Sequence, residues 1–185
     1  VRPAREWHDL SCVLRGSRLH FRSVRSHLRA LAGPLWRGGR TSHGAPAQRA
    51  AGEKALLLDG SLAEAHLSLA LVMAYHERRW GDAEAAYRRG LELDPNYATG
   101  HHWYAFHLQT VGRYDEAMVE RRRALEIDPL TPMPNVSLAD LYSAMRQPDR
   151  ALEAIDRTLE REPRIWFARV IKGQALMELG RQHEA

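Results

Sequence analysis

Apolar and polar positions alternate along this chain in blocks, not residue by residue. The stretch Leu67–Tyr75 is strongly apolar, and a short polar turn separates it from residues 80–94, rich in acids and arginines. The same order returns twice more: an apolar helix, a turn, and a charged helix that stops at Pro95, Pro129 or Pro163. Proline cannot donate the next backbone hydrogen bond and disfavours helix in its predecessor, so each proline marks a boundary. These prolines are 34 residues apart and close near-copies of one phrase at residues 81–95, 115–129 and 149–163. A fixed period of this length predicts small helical units that bury their apolar faces only by stacking. The expected fold class is all-α, an α-solenoid of antiparallel helix pairs, and its expected product is a surface that binds protein.

The period sets the expected boundaries. Residues 53–60 repeat the closing phrase with Gly60 in place of proline, so residues 47–62 read as a half repeat. Full repeats follow at 63–97, 98–131 and 132–165, with a partial one at 166–185, about three and a half in all. The first full copy is one residue longer, and its turn at residues 76–82 should absorb the extra residue more easily than a helix interior. Residues 1–46 carry no repeat and read as a basic, weakly structured arm with a linker at 38–46. Within it, Phe21, Val24, Leu28 and Leu31 fall at helical spacing among arginines, which suggests a basic amphipathic helix over 18–32.

The in-phase residues resemble the tetratricopeptide repeat family. Small residues Ala70, Ala105, Ala139 and Gly173 fall in the first helices, Ala83, Ala117 and Ala151 in the second, and the prolines close each unit. The small positions let two helices approach, and a larger side chain there would overpack by about 1 to 3 kcal/mol. The resemblance implies that first helices line a concave, partner-binding face, and it carries that role to Thr99, His102, Phe106, Gln109, Asp140, Ser143, Phe167 and Gln174. The lysine, arginine and asparagine clamp by which one subgroup grips a terminal carboxylate is absent, because His102, Phe106, Val136 and Asp140 occupy comparable places. Residues 96–108 and the turn around Trp80 are similar to repeats found behind regulatory modules in bacterial signalling proteins. That similarity carries an alternative reading, a regulatory or sensor fragment whose basic arm or absent module touches nucleic acid.

Charge sharpens this division. The net charge of +4 splits into +8 over residues 1–49 and −4 over the remainder. A basic arm with Trp7, Phe21 and Trp36 has the composition for phosphate and base contact. The single cysteine, Cys12, excludes an internal disulfide and fits a reducing, cytoplasmic location. The apolar stretch Leu67–Tyr75 falls well short of the roughly 20 residues that cross a bilayer as a helix. His101, His102 and His107 lack the spacing of three or four that puts metal ligands on one helical face, and no phosphate loop or nucleophile elbow occurs. The expectation is therefore a scaffold with no catalytic residues, cofactor or metal. Its exposed last helix, with Leu176 and Leu179, is expected to promote self-association.

Overall fold

The structure is a computed structural model that describes residues 45–181 and 183. The readings made for the amino-terminal arm, including the helix at 18–32, Cys12 and the aromatic residues, lie outside the described residues, as does Ala185. Eight helices are found among the described residues: α1 (Ala45–Leu58), α2 (Ala63–Tyr75), α3 (Trp80–Leu93), α4 (Ala98–Thr110), α5 (Tyr114–Ile127), α6 (Pro132–Ala144), α7 (Pro148–Arg161) and α8 (Trp166–Glu178). They carry no strand, and none is long and apolar enough to cross a membrane. The fold class is that of all-α solenoids built from helix pairs.

The chain forms two compact units, one ending at Leu93 and the other spanning Asp94–Ala185. In the first, α2 packs against α1 and α3. Gly90 and Gly52 permit both approaches: a Cβ on Gly90 would lie 2.6 Å from Leu67 Cγ, and one on Gly52 2.7 Å from Leu69 Cγ. Arg49 of α1 bonds Glu77 beyond the end of α2 and pins the two helices together. In the second unit α4 pairs with α5 and α6 with α7, while α5 lies against α6 and α7 against α8. Its core gathers Val136, Ala139, Ala151, Ile155, Ala168, Ile171 and Leu176.

Two local devices punctuate the repeats. Turns within pairs end a first helix through a left-handed residue, Gly112 (φ 82°), Arg146 (φ 59°) or Gly180 (φ 72°). The next amide then reaches back five residues, from Arg113 to Leu108, Gln147 to Tyr142 and Arg181 to Leu176, which satisfies a terminal carbonyl. The longer first copy takes its extra residue here: Arg78 is left-handed (φ 55°) and Arg79 N–H reaches back six, to Met73. Between pairs, the aspartate preceding the break accepts a backbone N–H two residues on, at Asp59, Asp94 and Asp128. The closing phrase therefore contains a stop and a turn in adjacent residues.

Candidate functional site

The small positions Ala70, Ala83, Ala105, Ala117, Ala139 and Ala151 are all fully buried. Gly173 stands at the equivalent position of the last helix. A Cβ built there meets nothing within 4 Å, so the position has room for a side chain.

On the first-helix face of the second unit, four expected residues join one polar network. Its centre is a residue the sequence reading passed over, Arg121 of α5, which is completely buried. Arg121 Nη1 donates to His102 Nδ1 at 2.9 Å and Nη2 to Gln109 Oε1 at 3.1 Å. Gln109 Nε2 donates in turn to Asp140 Oδ2 at 2.8 Å, linking α4 to α6. The guanidinium also lies 6.0 Å from the centre of the Phe106 ring, within range of a cation–π attraction. The order of donors is forced: the cation must face the amide oxygen of Gln109, so the amide NH₂ faces the Asp140 carboxylate.

Electrostatics fix His102 as well. Burial, reinforced by the adjacent Arg121 charge, lowers its pKa to about 3, so it is a neutral ring that accepts at Nδ1. At 6% exposure it braces the face from beneath and is not open to a partner. Ser143 is also buried, Thr99, Phe106, Gln109, Asp140 and Phe167 are half-buried, and Gln174 is exposed. Phe167 stands edge-on to Trp166 (5.6 Å between centres) on α8, and the hydrogen bonds that join His102 to Asp140 do not include Thr99, Ser143, Phe167 or Gln174.

The three histidines of α4 do not converge. His101 Nδ1 contacts Glu120 Oε2 at 2.5 Å and its Nε2 contacts the Pro95 carbonyl at 3.0 Å. Both partners are acceptors, so the protonated ring suits them. Burial alone would lower its pKa, but the Glu120 hydrogen bond, the Pro95 carbonyl and the Glu120 charge outweigh it and Arg123, and the net shift is upward. His107 is buried and stacks near Tyr104 at 6.3 Å. Among the described residues no group of three or more His, Cys, Asp or Glu side chains could hold a metal ion.

Repeated helix pairs with small residues at their crossings define a helical-repeat scaffold. The family model described as tetratricopeptide repeat matches residues 136–185, and solved repeat structures resemble the chain over most of its length. The pilF protein of Pseudomonas aeruginosa is 25% identical with a TM-score of 0.67, covering 85% of this chain and 69% of its own. TTC0263, a thermophilic TPR protein of Thermus thermophilus, is 19% identical with a TM-score of 0.63, covering 86% and 95%. YrrB, described as a TPR protein with an unusual peptide-binding site, is 24% identical with a TM-score of 0.60, covering 72% and 69%. The search of curated proteins gave no match. The chain thus carries a tetratricopeptide-repeat match at residues 136–185 within an all-α helix-pair fold like that of the solved repeat proteins.

Proposed function

We propose that the first-helix face of the second unit binds a peptide segment of a partner protein, with Phe106, Gln109 and Asp140 in contact and His102 and Arg121 beneath them. The observation that carries this reading is the network from Arg121 through Gln109 to Asp140. It orients a half-buried amide and carboxylate beside an aromatic ring, so a partner orders on a surface that need not rearrange. A half-buried ring next to fixed polar groups is the composition of a peptide-recognition surface. Thr99, Phe167 and Gln174 extend the same face along the array, and Ser143 supports it from within. The likeness to YrrB, whose described feature is a peptide-binding site, is consistent with this use of the fold. The lone cysteine of the chain accords with action in the cytoplasm.

The test is selection from a phage-displayed random dodecapeptide library with the full chain as target, followed by titration of the selected peptides. Phe106→Ala and Asp140→Ala together should weaken binding by at least tenfold, while the double change Arg88→Ala and Arg89→Ala, at exposed positions of α3, leaves it unchanged. A library that yields no binder, or binders indifferent to Phe106 and Asp140, would overturn the reading.

A further inference from the structure

Charge decides which peptides the α4–α6 face can select. Helix α4 contains no Asp, Glu, Lys or Arg, and Asp140 is the one such residue in α6. The basic groups of this region do not present a charge to a partner. Arg121 is completely buried, and His102 is held neutral by burial and by the Arg121 charge. His101 is engaged by Glu120 of α5 and by the Pro95 carbonyl. The ionised group that the face offers a partner is therefore the half-buried Asp140 carboxylate.

Asp140 is also incompletely matched. Its hydrogen bond among the described residues comes from Gln109 Nε2 to Oδ2, and no cation pairs with it there. Other partly buried carboxylates have cationic partners: Glu77 pairs with Arg49 and Arg79, and Glu120 with His101. A carboxylate held by one neutral donor keeps acceptor capacity at its second oxygen, and a charged donor makes the stronger bond there. Phe106 lies three residues before Gln109, on the same helix face, so ring and carboxylate flank one fixed amide. Lysine and arginine side chains fit such a pair, with an apolar stem against the ring and a charged head at the oxygen. An acidic side chain would meet the Asp140 charge first, because Arg121 is sealed beneath and already donates to His102 and Gln109.

We propose that Asp140, beside Phe106, receives a lysine or arginine side chain of the bound segment, so that the face selects basic peptides. This specificity rests on the peptide-binding function proposed for the same face. Gln109 acts in it as a positioning residue, holding Oδ2 and leaving Oδ1 to the incoming cation.

Peptides selected from the dodecapeptide library test the specificity separately from binding itself. Lysine and arginine should be enriched in them over the unselected library. In the tightest binder, each Lys is then replaced by norleucine, or each Arg by citrulline, one at a time, which leaves the protein untouched. One such change should weaken binding to the full wild-type chain by about tenfold, the loss of a charged hydrogen bond. Against Asp140→Asn, whose amide oxygen still accepts from Gln109, the same change should cost less than about twofold, with helix content checked by circular dichroism. Selected peptides that need Phe106 but hold no basic residue would overturn the basic specificity and leave peptide binding standing. So would a Lys or Arg whose loss costs wild type and Asp140→Asn equally. A library without binders overturns both.

Discussion

Arg121 shows how one side chain can change role within a repeating frame. The equivalent positions hold Tyr87 and Ile155, both fully buried, so Arg121 fills an apolar position with a cation and requires polar partners there. Truncating it to alanine should cost about 3 kcal/mol in urea unfolding, because His102 and Gln109 lose a buried donor. Its exposed neighbour Arg122 should cost under about 0.5 kcal/mol. Arg121 was legible in principle: it lies four residues after Ala117 and three before Ala124, on the buried stripe, but it was hidden inside a run of three arginines. The partner-facing role of His102 was inferred from its place in the repeat, and its burial reflects the arginine beneath it. The two histidines also give opposing pH responses. The raised pKa of His101 stabilises the fold fully below the unfolded value of about 6.5 and is lost as pH rises through the folded value. His102 resists protonation in the fold but not in the unfolded chain, so stability also falls as pH drops below about 6.5. The melting temperature should therefore pass through a maximum between these limits. Glu120→Gln should flatten the alkaline side alone.

At the scale of helices and turns, Arg146 stands where the neighbouring turns have Gly112 and Gly180, and it holds the same left-handed conformation. A side chain there costs about 1 to 2 kcal/mol, partly offset by the greater freedom glycine gives the unfolded chain. Arg146→Gly is thus expected to raise stability by about 0.5 to 1 kcal/mol, measured by denaturant titration. Gly90→Ala should do the opposite, costing about 1 to 3 kcal/mol, because the new methyl group meets Leu67 at 2.6 Å and the Ala63 carbonyl at 3.1 Å. Helix order, helix ends at the prolines and the site of the extra residue were all readable from spacing. The Asx turns at Asp94 and Asp128 were not read, since proline alone accounted for the stop; the aspartate's bond forms only once the chain has bent. The open surroundings of Gly173 depend on which helices lie nearby, and a local motif holds no information about that.

Across the molecule, helices contact mainly their sequence neighbours, so stability should be distributed locally. Ile155→Ala, in the core of the second unit, should lower amide protection in α6, α7 and α8 and leave α2 and α3 unchanged in hydrogen exchange. Uniform loss across the chain would show a single cooperative block instead. The 34-residue period made this architecture legible because stacking needs the same small residues at every crossing. It could not reveal the polar network, which occurs once among the described residues and needs three helices at once. One joint has a consequence for how such a chain can change over generations. Leu67 meets Gly90, and the corresponding positions hold His102 with Ala124 and Val136 with Thr158, so bulk lost by the first helix is returned by the second. Trimming Leu67 to valine first leaves a small void that Gly90→Ala then fills, whereas the reverse order begins with a collision. The path between the two compatible pairs is thus passable from one side only, and the joint has a memory of the order in which it was altered.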